Sequence, residues 1–288
     1  MLEKTMKKVL NKKIRAWLET ITDEAVKDAI RKDLIITGGC FTSMVDSQPI
    51  NDLDCYFRTK DTVLKVAQYY IDLWNKNHKD QVNKIGVPYK AFVLDGENAS
   101  QALLDWYKIK SLQDSKAVLI YNTSPDRVKL IIPSDGVAGD PQEVNSSEEL
   151  GTNVPGLLDE LDEVPAADEI TANSKKEHPK YNPVFISSNA VTLTDKIQLI
   201  VRFYGEPGQI HDTYDYEHTK AYYDYGEQEL VIPKRVYELI VNKKLVYSGS
   251  KYPVASLFRM RKFIQRGWNI NAGQILKMAM QVSHLDLS

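Results

Sequence analysis

Apolar residues recur at helical spacing through the charged N-terminal stretch MLEKTMKKVLNKKIRAWLETI, which predicts an amphipathic helix over about 7–19. A second helix is predicted over 23–32, with Thr22 or Asp23 able to cap its start. The apolar run at 34–36 reads as a strand delivering Gly38-Gly39, and 52–58 reads as another. Behind it Val63, Val66, Ala67, Tyr70, Ile71, Leu73 and Trp74 fall three and four apart, so a helix over 59–75 is expected to back a sheet. Strands are expected at 89–94 and 117–121 around a helix at 100–107, with 128–132 pairing with 117–121 across the turn at 123–126.

Further on, 184–186 and 195–203 read as strands. In the second, Ile197, Leu199 and Val201 alternate with Gln198, Ile200 and Arg202. Gly205-Glu206-Pro207 opens a short helix to 210, and a strand is expected to end near Tyr223. Three helices, at 233–242, 254–266 and 274–283, complete the chain. Strands alternating with helices predict an α+β fold, a mixed sheet backed by helices with a helical C-terminal region.

Composition changes one part of this picture sharply. Between 134 and 170 the chain holds eleven acids and no Lys or Arg, among Gly, Pro, Ser and Asn. Such a stretch cannot bury enough apolar surface to offset its ordering entropy, so 134–180 is expected to be a flexible acidic insertion. An acidic flap that imitates nucleic acid is the functional alternative. The rest suits a soluble enzyme: 288 residues, 43% of them apolar, make one large or two modest domains. No span or secretory h-region is evident, so a cytoplasmic protein without membrane contact is expected. The two cysteines, Cys40 and Cys55, are expected to be buried thiols. A net charge of −2 gives the whole chain no generic attraction for nucleic acid.

The candidate chemistry lies in TGGCFTSMVDSQPINDLDCYFR, residues 37–58. In a strand, side chains at i and i+2 leave the same face, so Asp52 and Asp54 would project together while Leu53 and Cys55 enter the core. Paired carboxylates suit a hard divalent cation, and two such ions can clamp the entering and leaving oxygens of a phosphoryl displacement. Gly38 and Gly39 would let the backbone approach a triphosphate closely, with Thr42 and Ser43 adding hydroxyls. The stretch lacks the lysine and hydroxyl residue that follow the last glycine of a Walker loop.

Gly38-Gly39 and Asp52-Leu53-Asp54 together resemble the signature of the DNA polymerase β-type nucleotidyltransferase superfamily. The resemblance implies a nucleotidyltransferase palm, a bound NTP, two Mg²⁺ ions (or Mn²⁺) held by Asp52 and Asp54, and a third carboxylate on a neighbouring strand. Cys40 departs from the commoner small hydroxyl residue after the glycines, and Ser43 is the substitute donor. Downstream, SSNAVTLTDKIQLIVRFYGEP, TYDYEH, SGSKYP and RMRKFIQRGWNINAGQ resemble bacteriophage proteins that carry the same signature. By that resemblance the palm comprises 1–133 and 181–232, followed by the helical region 233–288. Asp215 is the expected third carboxylate and metal ligand, with Glu217 as its alternative.

The C-terminal helices are basic, and Arg259, Lys262 and Arg266 share one predicted face. With Lys251 they are expected to grip phosphate, while Tyr252 or Trp268 could stack on a base. The expected reaction is transfer of NMP from an NTP to an acceptor hydroxyl, with an RNA 3′ end, such as that of tRNA, as acceptor. His218 could steer a proton, though a histidine among tyrosines is more commonly structural. The alternatives are transfer to a protein or small molecule, and a catalytically idle fold that binds a nucleotide or a host protein.

Overall fold

The computed structural model describes residues 2–79, 91–95, 128–131, 179–187 and 189–284. Helix α1 (Glu3–Thr20) buries Met6, Leu10, Ile14, Trp17 and Leu18, a stripe recurring every three or four residues. Helix α2 (Glu24–Asp33) begins at Asp23, whose carboxylate accepts the Ala25 and Val26 N–H groups at 2.8 and 3.3 Å. Strand β1 (Leu34–Thr37), helix α3 (Gly39–Val45), strand β2 (Leu53–Phe57) and helix α4 (Lys60–Asn77) follow. At the end of α2 the buried Asp33 accepts both the Thr59 and Thr62 hydroxyls, at 2.7 and 2.6 Å, and so ties the start of α4 to α2.

Among the described residues strand β3 (Phe92–Asp95) pairs antiparallel with β4 (Val128–Ile131) outside the main sheet. Its entry is fixed to α4 by the Asn75 side chain, which bonds both the N–H and the C=O of Ala91, at 2.7 and 2.9 Å. The segment 128–132 was expected to pair with 117–121. Its expected partner lies outside the described residues; among those described it pairs with β3, and Val128 and Leu130 are buried in the core beside α4. The expected elements at 100–107 and 117–121 and the acidic stretch 134–170 lie outside the described residues.

The main sheet also takes in β5 (Pro183–Ile186), β6 (Ala190–Leu193), β7 (Ile197–Tyr204), β8 (Tyr222–Asp224) and β9 (Glu229–Val231). Its seven strands run in the order β5-β6-β7-β2-β1-β8-β9. Only β2 and β7 are parallel, and a parallel pair needs a long crossover, here everything between them in sequence. The fold is therefore a mixed, mostly antiparallel sheet backed by helices. One face carries the large core, with Leu34, Ile36, Leu53, Cys55, Phe57, Leu199 and Val201 against α1 and α4. The other carries a small patch of Ile35, Tyr56 and Ile210, covered by the short helix α5 (Pro207–His211).

The expected strand ending near Tyr223 is mostly irregular. Residues Glu217–Thr219 form a 3₁₀ turn, and only Tyr222–Asp224 joins the sheet. Upstream, the backbone pairs instead with 246–248: Ser248 N–H donates to Asp215 C=O at 2.8 Å and Glu217 N–H to Val246 C=O at 3.0 Å. The C-terminal helices are α6 (Lys234–Val241), α7 (Pro253–Gln265) and α8 (Ala272–Ser283), with β10 (Lys244–Leu245) and β11 (Asn269–Ile270) forming a parallel two-residue ladder. Among the described residues no helix is long and apolar enough to cross a membrane.

Trp17 is fully buried and its indole N–H donates to the Tyr70 hydroxyl at 2.6 Å, joining α1 to α4. Tyr70→Phe leaves that N–H without an acceptor in the core, and urea denaturation is expected to show a loss of about 1–3 kcal/mol.

Candidate functional site

The site begins with the register of β1 on β2. Leu53, Cys55 and Phe57 enter the large core, so Asp54 and Tyr56 leave on the opposite face. Asp54 stands level with Thr37 of β1 and Gln198 of β7. Immediately after Thr37, Gly38 adopts φ +94° and ψ −153° as the residue preceding α3. A Cβ at Gly38 would lie 2.6 Å from Asp54 Oδ2, so the carboxylate rests directly on the glycine turn. Asp52 lies just before β2 and is half-buried. Burial first, and the charge of Asp52 second, push the Asp54 carboxyl up to about 7.

Three further side chains gather around the glycine turn. The Tyr214 hydroxyl lies 3.7 Å from the same Cβ position and shares hydrogen bonds with Thr37 and Tyr56. Burial, then Tyr56 and Asp54, push its phenol well above the ordinary range, so it is a neutral group at physiological pH. Thr37 Oγ1 donates to Ala221 C=O at 2.7 Å and stands 2.9 Å from His211 Nε2. The hydroxyl proton is spent on Ala221, which makes His211 Nε2 the donor to Thr37. Burial first and Lys220 second push His211 down to about 4, consistent with a neutral ring. The ring also packs against Tyr214 and Tyr222, with centroids 5.4 and 5.8 Å away.

The remaining sequence candidates are distributed differently. Gly39 opens α3 and is exposed, with open space where a Cβ would go. Thr42 Oγ1 donates to His218 C=O at 3.4 Å, and Ser43 is half-buried on the same helix. Asp215 is buried and ion-paired to Arg259 of α7. Glu217 is held by Lys220 at 3.0 Å. Among the described residues no three His, Cys, Asp or Glu side chains are grouped closely enough to hold a metal ion, so Asp215 does not join Asp52 and Asp54 in such a group. Neither strand flanking β2 supplies the neighbouring acid: β1 reads LIIT and β7 reads IQLIVRFY. The position level with Asp54 on β7 is the neutral Gln198.

The expected phosphate grip is also only partly assembled. Arg259 is committed to Asp215, Lys262 is half-buried on α7 and Lys251 is exposed before it. Trp268 is buried against His218 and Phe263, and the Tyr252 hydroxyl accepts from Arg202, so both aromatics expected to stack on bases are occupied in packing. His218 is fully buried among Tyr216, Phe263 and Trp268, with neither ring nitrogen hydrogen-bonded, and burial pushes it down to about 3. Cys40 and Cys55 are buried free thiols, both pushed up chiefly by burial.

Sequence spacing did not reveal Tyr214, His211 or Thr37. Tyr214 adjoins Asp215 in the chain, yet no periodicity ties it to a glycine far upstream. A profile of the Gabija anti-defense 2 family matches residues 8–243, and the chain belongs to that family. The match includes Gly38, Asp52, Asp54 and Tyr214 and ends before α7 and α8. No curated protein and no solved structure matches the chain.

Two outcomes are expected from this geometry. Gly38→Ala puts a Cβ into the Asp54 carboxylate at a φ of +94°, and should lose about 1–3 kcal/mol in denaturant melts while displacing Asp54. For His218 the folded value, about 3, lies below that of the unfolded chain, so lowering the pH from about 6.5 protonates only the unfolded state and removes stability. Thermal melts should therefore show His218→Phe gaining on the parent protein as the pH drops from 7.5 to 5.

Proposed function

We propose that the chain is a divalent-cation-dependent nucleotidyltransferase that serves a phage in countering a host defence, moving NMP from an NTP to an acceptor hydroxyl. The observation that carries this reading is the Asp54 carboxylate seated on Gly38 with Asp52 beside it. Gly38 makes room for the Asp54 carboxylate, Gly39 beside it leaves open space for a phosphate to approach, and the mixed sheet with helices behind it suits a nucleotidyltransferase palm. The family's name supplies the anti-defense role.

The donor set fits a cation. A buried carboxyl whose proton affinity is raised by burial and by the neighbouring Asp52 gains from a divalent ion such as Mg²⁺ or Mn²⁺. When bound, that ion neutralises triphosphate charge and polarises the α-phosphate. Asp52 and Asp54 would hold it. The fit is to a pair of protein ligands, since Asp215 is tied to Arg259. In the reaction an acceptor oxygen bonds to the α-phosphorus, the bond to the bridging oxygen breaks, and pyrophosphate leaves. Neutral Tyr214 and His211 would orient Asp54 and Thr37 around the turn without adding charge.

A second reading is a nucleotide-binding module without transfer. It is favoured by one feature: the strands on either side of β2 carry no acid, with Gln198 level with Asp54. Incubation with each α-labelled NTP, Mg²⁺, total RNA and host protein separates the two. Transfer places label on RNA or on protein and releases pyrophosphate, and the labelled fraction identifies the acceptor class. Asp54→Asn should lower transfer roughly 10²–10³-fold with the melting curve retained. Full transfer by Asp54→Asn would sink the site, and NTP binding without pyrophosphate release would leave the module reading.

A further inference from the structure

Helix α8 is packed with its amides inward and its aliphatic residues outward. Gln274 Oε1 accepts Tyr247 N–H at 2.8 Å. Gln281 Oε1 accepts the Tyr247 hydroxyl at 2.6 Å and Ser250 N–H at 3.2 Å, while its amide donates to Ser250 C=O. Between them Met278 is fully buried beneath the Tyr216 hydroxyl. These three positions, spaced i, i+4 and i+7, share the face that holds the helix to the protein. The opposite face shows Ala272, Leu276, Ala279 and Met280, with Leu276 and Met280 60% and 55% exposed. Neighbouring α7 adds exposed Phe258 and Ile264. Large apolar side chains exposed in number on adjoining helices are of the kind that mark an interaction site.

Charge narrows the occupant. Residues 244–284 contain seven Lys or Arg and no Asp or Glu, whereas the whole chain has a net charge of −2. A second copy would set this basic face against itself. RNA would use cations and aromatic faces, but Trp268 and Tyr252 are occupied in packing and Arg259 is paired with Asp215. Exposed Leu276 and Met280 have apolar partners to find, and the exposed cations Lys277 on the same helix and Arg261 and Arg266 on the neighbouring α7 have acidic ones. We propose that the outer face of α8, in a segment whose charges are all basic, docks an acidic protein surface that carries its own apolar residues. The face lies beyond the 8–243 span of the family match, and its role does not require nucleotide transfer.

The probe is a fluorescent helical peptide with leucines at i, i+3, i+4 and i+7 and glutamates elsewhere, titrated with the full chain and read by anisotropy. Binding is expected, weakening with salt. Leu276→Gln with Met280→Gln should weaken it at least about tenfold, the scale set by losing one well-buried anchor of about 1.4 kcal/mol. Arg261→Gln with Arg266→Gln should weaken it and flatten the salt dependence. All four side chains are surface positions, so melting curves should be unchanged. The proposal is overturned if the peptide does not bind, or binds no better than its version with serine in place of leucine. It is equally overturned if an RNA oligomer or anionic phosphatidylserine vesicles bind instead, with the same dependence on Leu276 and Met280.

Discussion

The closeness of one carboxylate to one glycine organises the functional half of this protein. Asp54 reaches Gly38 because β1 and β2 are antiparallel with Thr37 level with Asp54. A shift of one residue in that register would send Asp54 into the large core and Cys55 to the open face. The register is secured from the other side of the sheet, where Leu34, Ile36, Leu53, Cys55 and Phe57 are buried against the helices. Core packing thus positions the acid, and the absence of a Cβ at Gly38 gives the acid its place. Thr37 and Tyr214 stand beside the turn, and His211 bonds Thr37 in turn.

The same side chains cannot serve two sites. Asp215 and Arg259 neutralise each other where the irregular segment before β8 meets α7, and Trp268, Phe263 and Tyr216 pack around His218 behind them. That assembly attaches the C-terminal helices to the sheet domain. It withdraws an acid from the expected metal site and aromatic and cationic groups from the expected nucleic-acid face. What it leaves at the surface is the aliphatic side of α8 and the exposed Arg261, Arg266 and Lys277, in a segment, 244–284, that holds no Asp or Glu of its own.

Much of the fold was legible from periodicity. The stripes of α1 and α4, the Asp23 cap, the strands around the glycine turn and the three C-terminal helices all follow from local spacing. That β4 also pairs with β3 was not legible, because strand pairing depends on which surfaces meet α4 rather than on adjacency in sequence. Strands β6 and β9 are short, and nothing in their local pattern set them apart from loops. The segment from 213 to 221 contains enough tyrosine to suggest a strand, but its backbone bonds went to 246–248.

By itself the sequence determined that one acid of the pair stands in a strand after a glycine turn, with the other acid two residues before it, because strand alternation and glycine's backbone freedom are local properties. Only the tertiary structure decided what surrounds them: Tyr214 and His211 come from a segment more than a hundred residues downstream, and Gln198 rather than an acid occupies the flanking strand. It also decided that Asp215 belongs to Arg259 and that α8 presents its aliphatic face to solvent. The physical reason is that charge pairing and burial are settled by proximity in space, and no spacing rule along the chain carries that information.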